Sequence, residues 1–407
     1  MNKLVLIDGS SLLSTSFFGN VPREFYSAKT DEQRANAMAK VMKTSTGVFT
    51  NGVYTMSKVL LRIIEKQKPT HMAIAWDVNR ASLNRKKKYD GYKSNRKDTA
   101  PELGAQFGLM QEVLKEMNIP QFKLEGHEAD DIIGTFSTHF EDEIPVYILT
   151  KDQDALQLVT EKTRVWLTTS KAKEYYQERG LDPKALPIPD GVFEYTPLTF
   201  EEIYGLKPIQ IIDMKALEGD SSDNIPGVAG VGPTSVLPLL QEYGDLETIY
   251  DVIEHTPEEE LKTFFKEELG IKQSPIAKLL KKSNAEMAEE VQNLLHKKWD
   301  KALGKEIINL FKLVDDKTFK GKVKELNVKD EASFIEKARE LSEELQTIDS
   351  GIVGKEAAFL SKELATIKTD LEPFASTDLS ELELHFNKEK TRNKFQELEF
   401  KSLLDKL

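Results

Sequence analysis

Leu4-Val5-Leu6-Ile7-Asp8-Gly9-Ser10-Ser11 is the stretch on which the reading of the fold turns. Four apolar residues run into an acid and then a polar, glycine-bearing turn, the pattern of a short buried strand. Two later stretches repeat it: residues 72–76, followed by Asp77, and residues 146–149, followed soon after by Asp152. Long segments of helical periodicity lie between them, among them 53–66 and 103–117. Apolar strands alternating with helices predict an α/β fold with a mostly parallel central sheet flanked by helices. Ligands of such sheets gather outside the carboxyl ends of the strands, where Asp8, Asp77 and Asp152 fall.

The chain has 407 residues, enough for more than one core, and contains no cysteine. Disulfides, thiolate zinc sites and a thiol nucleophile are therefore excluded, and a reducing cytoplasm is the expected setting. The first apolar run is too short for a signal peptide or a membrane span. A net charge of −12 is unusual for a protein that binds phosphates, but its distribution is uneven. Residues 80–97 carry eight Lys/Arg against one Asp, a net +7. Acids elsewhere that hold cations would have their charge cancelled.

Further acids join the three at strand ends: Glu128, Asp130 and Asp131 ahead of an apolar run, Asp154 beside Asp152, and Asp220 and Asp223 in Gly219-Asp220-Ser221-Ser222-Asp223-Asn224. Singly, each suits a helix cap or a turn. Several carboxylates brought to one sheet edge repel one another unless protons or cations neutralise them. Hard oxygen ligands select Mg²⁺ or Mn²⁺ over zinc. Two such ions about 4 Å apart are the usual device for displacement at phosphorus. Phosphodiester hydrolysis is the chemistry implied.

Arg80, Arg85, Lys86, Lys87, Lys88, Tyr89, Tyr92, Lys93 and Arg96 interleave cations with aromatics. An exposed basic helix would look the same. The functional expectation is an arch over the site, spanning about 80–100, with Lys93 and Arg96 one helical turn apart facing the scissile phosphate and Tyr92 stacking on an end base. Residues 225–234, with Gly227, Gly230, Gly232 and Thr234, lead from one helix into another. This reads as a helix-hairpin-helix that grips duplex backbone without reading sequence.

Together these motifs resemble the 5′-nuclease domain of bacterial DNA polymerase I, in the flap endonuclease superfamily. The likeness is carried by Asp8-Gly9-Ser10-Ser11, Tyr92-Lys93-Ser94-Asn95-Arg96, Gly126-His127-Glu128-Ala129-Asp130-Asp131, Asp152-Gln153-Asp154 and residues 219–232. It resumes in 364–370 and 397–404. It implies a PIN-like nuclease fold and metal ligands at Asp8, Asp77, Glu128, Asp130, Asp131, Asp152, Asp154, Asp220 and Asp223. It also implies a potassium ion on backbone carbonyls of the glycine hairpin. Lys151 stands where the family often has glycine, and segments 18–45 and 170–193 look longer than usual.

The expected organisation is a nuclease domain over 1–204, a helix-hairpin-helix region over 205–255, a charged helical insert over 256–349 outside the resemblance, and a closing segment over 350–407. On that reading a chain ending near Glu254 would fold and keep some flap cleavage, with lower stability or affinity. The expected function is a structure-selective 5′-3′ exonuclease and flap endonuclease of replication and repair, using two metal ions. Lys93, Arg96, Asp8, Asp77 and Asp154 would carry the chemistry; Arg80, Arg85, Tyr92, Lys93, Arg96, Gly227, Gly230, Gly232 and Thr234 would bind DNA. Its partners would be DNA with a 5′ flap, nick or end beside duplex, RNA–DNA hybrid, and a DNA polymerase, with no membrane. A ribonuclease with a similar acidic site and a non-catalytic junction-binding protein are the alternatives. The duplex grip disfavours the first, and the complete set of acids disfavours the second.

Overall fold

The computed structural model describes residues 2–327 and 330–407. They divide into two units, Met1–Ile212 with Thr366–Leu407, and Asp213–Ala365. The expected boundary at 204 thus falls eight residues early, and the expected closing segment divides at 365.

The first unit is built on a six-stranded sheet: β1 (Leu4–Asp8), β2 (His71–Ala75), β3 (Gln121–Phe122), β4 (Val146–Thr150), β5 (Thr163–Thr168) and β6 (Val192–Tyr195). Their order is β3-β2-β1-β4-β5-β6. All neighbours are parallel except β5 and β6. Every residue of β1 is buried, as expected of a parallel strand covered on both faces. The chain grows from β1 toward β2 on one side and resumes at β4 on the other. That reversal opens a crevice at the carboxyl ends of β1 and β4.

Helices Gly9–Phe18, Asn51–Gln67 and Pro101–Met117 pack together. They bury Leu13, Phe17, Val53, Met56, Leu60, Met110 and Leu114 against Val5, Ile7, Met72 and Ile74 of the sheet. The apolar positions of the second helix recur at three- and four-residue steps, the stripe of a helix with one buried face. Helix Ala129–Phe140 packs on β1, β2 and β4 through a buried set that includes Ile132, Ile133, Phe136 and Phe140. Gly9 admits no side chain, since a Cβ there would lie 2.5 Å from Ile74 Cγ2 and 3.0 Å from the Ala75 carbonyl oxygen. Close approach of this first turn to β2 therefore depends on glycine.

The tail completes this core. Leu384 N–H donates to the Thr70 carbonyl at 2.9 Å, and Asn387 N–H donates to the Met117 carbonyl at 3.1 Å. Phe395, Leu398, Phe400 and Leu403 then enter the same apolar cluster, with Phe400 edge-on to Tyr54 at 5.3 Å between centroids. A chain ending near Glu254 would lose all of these contacts, so the expectation that it folds unaided is not supported.

The second unit is helical. Gly227 closes its glycine hairpin: φ is +61°, and a Cβ would fall 2.2 Å from Gly219 N. The segment read as an insert forms helices that include Asn284–Leu295, Lys301–Leu313 and Glu331–Thr347, with a core of Met287, Val291, Ile307, Phe311, Phe319 and Leu345. Among the described residues no helix is long and apolar enough to cross a membrane.

Phe400→Ala tests the role of the tail. Emptying this buried site should lower unfolding free energy by about 3–5 kcal/mol, as for other large aromatic truncations. Urea denaturation measures it, and a loss under about 1 kcal/mol would show that the tail is dispensable to the core.

Candidate active site

Asp8 ends β1 and caps the following helix. Its Oδ1 accepts from Ser11 N at 2.8 Å and its Oδ2 from the Thr150 hydroxyl at 3.2 Å. Asp77 lies just past β2; its Oδ1 accepts from Ala129 N at 2.9 Å, and its own N–H donates to Ser10 Oγ at 2.9 Å. Asp130 sits in the first turn of Ala129–Phe140, its buried Oδ1 without a hydrogen-bond partner. Asp152 follows β4, its Oδ1 accepting from Asp154 N at 2.9 Å. Three strand ends and one helix start thus deliver four acids to one crevice. Ser10, Ser11 and Thr150, whose positioning role the sequence reading missed, hold them in place. Their signal was proximity in sequence, since Ser10 and Ser11 follow Asp8 closely and Thr150 stands two residues before Asp152.

The electrostatics are adverse. Burial and then the charge of Asp77 push the Asp8 carboxyl up to about 7 from an ordinary 3.8. Burial, followed by the charges of Asp152, Asp8 and Asp77, raises Asp130 well above its usual range. Burial also raises Asp77. Asp77 is the most exposed of the four acids, and its shift is the smaller part of the crowding. No three His, Asp or Glu side chains are already drawn into a metal shell among the described residues. What fits this set to a hard divalent cation is the all-oxygen donor chemistry, the mutual repulsion and the unpartnered Asp130 oxygen.

Two of the expected ligands are otherwise committed. Arg85 Nη2 meets Asp131 Oδ1 at 2.7 Å and Nη1 meets Glu128 Oε2 at 3.0 Å, while Nη2 also donates to the Thr366 carbonyl at 2.6 Å. Asp131 further accepts from Lys368 N at 2.9 Å and Glu128 N at 3.2 Å. Burial opposes ionisation of both acids, but Arg85 at Asp131, and Lys93 with Arg85 at Glu128, outweigh it and hold both below their ordinary range. Asp131 is therefore spent on structure, and Arg85, expected on DNA, is the cation that neutralises it.

The basic segment also departs from expectation. Helical turns are confined to Arg80–Ser82 and Asn84–Lys88, and Lys93 takes a left-handed φ of +53°, so Lys93 and Arg96 do not lie on a helix. Tyr92 is 3% exposed and donates its hydroxyl to Glu128 Oε2 at 2.8 Å, which removes it from base stacking. Lys93 is buried and ion-pairs with Glu128; its charge also favours ionised Asp77 and Asp130. Arg96 is exposed, and its carbonyl accepts from Arg80 Nη1 at 3.0 Å. The physical reason is neutralisation, because buried Glu128 draws Tyr92 and Lys93 inward. Asp154 is half-buried, its carbonyl accepting from Gln157 at 3.0 Å.

In the second unit Asp220 ion-pairs with Lys215 at 2.6 Å and accepts from the Ser222 N–H and hydroxyl at 2.7 Å. Asp223 is buried. Gly227 donates its N–H to Ser361 Oγ at 2.9 Å, so it shapes the turn and does not face a ligand. Gly230 has φ +87° and Gly232 has nothing within 4 Å of a would-be Cβ. Thr234 is exposed at the start of helix Pro233–Tyr243.

The chain matches the family of 5′-3′ exonucleases in two parts: the N-terminal resolvase-like domain over residues 3–185 and the C-terminal SAM fold over 206–333. The second match runs well past residue 255, so most of the segment read as an insert lies within it. A 5′-3′ exonuclease of Bacillus subtilis is 35% identical over 257 residues, covering 63% of this chain and 75% of that protein. The DNA polymerase I of the same organism is 37% identical over 261 residues, covering 64% of this chain, which spans only 26% of that relative's length. The solved T5 5′-exonuclease is 17% identical, with 84% of this chain and 100% of that one covered and a TM-score of 0.44.

The raised acids set a pH dependence. Without divalent cations, the folded protein keeps protons on groups such as Asp8 that the unfolded chain has already released. Stability should then fall as pH rises from about 4 toward 7. Melting temperature should rise more on adding Mg²⁺ at pH 8 than at pH 5, and Asp8→Asn combined with Asp130→Asn should flatten that difference. An equal Mg²⁺ effect at both pH values would contradict this charge reading.

Proposed function

The chain belongs to the 5′-3′ exonuclease family, and on that premise we propose that it hydrolyses phosphodiester bonds at 5′ flaps, nicks and ends beside duplex DNA. The observation that carries this reading is the crevice where burial and the charges of Asp77 and Asp152 raise Asp8, and burial with the charges of Asp152, Asp8 and Asp77 raises Asp130. These four would hold divalent cations, Mg²⁺ or Mn²⁺, with Asp154 beside them and Glu128 at the margin. Bound there, such cations supply charge neutralisation and an acidified water.

The chain's own residues prepare the site. Ser11 N–H and the Thr150 hydroxyl fix the two oxygens of Asp8, and Ala129 N–H fixes Asp77. Preorientation of this kind spares the carboxylates reorganisation when charge develops. Glu128 keeps Lys93 beside the acids, where its ammonium would donate to a non-bridging phosphate oxygen. Exposed Arg96 and the lysines 86–88 would attract the strand. The hairpin at Gly230 and Gly232 would hold duplex backbone through its amides, and a potassium ion on its carbonyls belongs to the same reading. RNA primers on DNA present the same kind of 5′ end, and a DNA polymerase that displaces such strands is the partner implied, in replication and repair.

The test is cleavage of a 5′-labelled flap. Mg²⁺ or Mn²⁺ should support cutting near the junction, and chelator should abolish it. Asp8→Asn and Asp130→Asn should each remove turnover while flap binding survives, because neither adds negative charge. Metal-independent cleavage, or full activity in either variant, would refute the site.

Lys93 separates positioning from general attraction. Under single turnover with enzyme saturating, Lys93→Ala should slow cutting about a hundredfold or more, the scale of a lost oxyanion donor. Lys87→Ala should weaken binding slightly and leave the chemical step unchanged. Matching behaviour of the two would reduce Lys93 to one cation among many.

A further inference from the structure

The second unit carries a cation whose placement the active site does not explain. Lys278 lies on helix Gln273–Leu279, within the segment expected from the sequence to be a charged helical insert. Ile276 and Leu279 are buried at 2% and 1% exposure, so the helix is anchored while Lys278 stays exposed. Several lysines of this unit are held by acids, among them Lys215 by Asp220, Lys282 by Glu290 and Lys355 by Glu254. Among the described residues Lys278 has no such acidic partner.

Its stem has a definite location. Lys278 Cγ and Cε lie 3.7 and 4.0 Å from where a Cβ on Gly230 would be. The aliphatic chain therefore runs along the bare backbone of the glycine hairpin, and a stem packed this way carries its ammonium outward to water. At Gly230 φ is +87°, and at Gly232 the space is open, so the hairpin offers exposed backbone where the lysine arrives. Amides supply directional hydrogen bonds to an anion, and a lysine adds a compact mobile charge. The pair suits one ligand chemistry, a phosphate of a nucleic-acid backbone.

We propose that Lys278 is a duplex-binding residue that donates to a phosphate oxygen next to the one held by the glycine hairpin. This rests on the reading of the hairpin as a duplex grip. The contact would be insensitive to base sequence, because phosphates carry no sequence information.

The experiment is fluorescence anisotropy of a labelled blunt duplex with the full chain, over a series of KCl concentrations. Lys278→Ala should raise Kd roughly three- to tenfold at low salt and make the slope of log K against log salt shallower by about 0.9, one phosphate contact. Lys278→Arg should keep both at wild-type values. Lys312→Ala, an exposed lysine on helix Lys301–Leu313, should change neither, and thermal melting should be unaltered in all three. Lys278→Ala that matches the wild type, or that loses no more than Lys312→Ala, overturns the assignment while the duplex grip stands. A wild-type chain that does not bind duplex overturns the grip itself, and this inference with it.

Discussion

Negative charge gathers at the reversal point of the sheet, and the surrounding structure is built to answer it. Carboxylates at the ends of β1 and β2, past β4 and at the start of helix Ala129–Phe140 share one poorly screened crevice. Separated charges in such a medium interact more strongly than in water, and leaving them uncompensated costs stability. The fold meets this in two ways. Glu128 and Asp131 are neutralised internally by Lys93 and Arg85, whereas Asp8, Asp77, Asp130 and Asp152 remain mutually opposed. The first group is architecture; the second is the set that the proposed function assigns to cations from outside.

Internal neutralisation explains why distant parts of the chain converge. Arg85 can bridge Glu128 and Asp131 because Thr366 contributes a carbonyl and Lys368 an amide to the same network. The tail then continues into the main core through Phe395, Phe400 and Leu403. Residues 366–407 therefore serve the site twice, by holding the charges that flank it and by packing the helices that carry it. Buried ion pairs of this kind contribute little net stability on their own, but breaking one side leaves a stranded charge that costs several kcal/mol.

The chain's overall acidity is consistent with backbone recognition once its distribution is considered. Many surface lysines of the second unit are paired with acids, which limits indiscriminate attraction. Positive charge that is left outward, near a backbone loop able to approach phosphates, has more effect on where a polyanion settles than on how strongly it is attracted at long range. Acidic composition and a localised grip are in this sense complementary.

Local pattern was enough to read three of the six strands, because a run such as Leu4–Ile7 is too short and apolar to be anything but buried, and to read which acids stand at their ends; β3, β5 and β6 lacked so plain a pattern. It also marked the glycine hairpin, since Gly219 and Gly227 occupy turns that a side chain would block. These are local properties, readable from periodicity and steric freedom. How each charge is spent depends on contacts that the chain's order does not reveal. Arg85 and Tyr92 read as DNA contacts until Glu128 and Asp131, more than thirty-five residues away in the chain, were seen to claim them. The arch helix gave way to a tethered turn at Lys93 for the same reason, and the tail, which read only as a closing segment, proved to be core. Charge pairing and packing depend on which distant residues are brought within a few ångströms, and that follows from the topology of the sheet, which spacing along the chain does not encode.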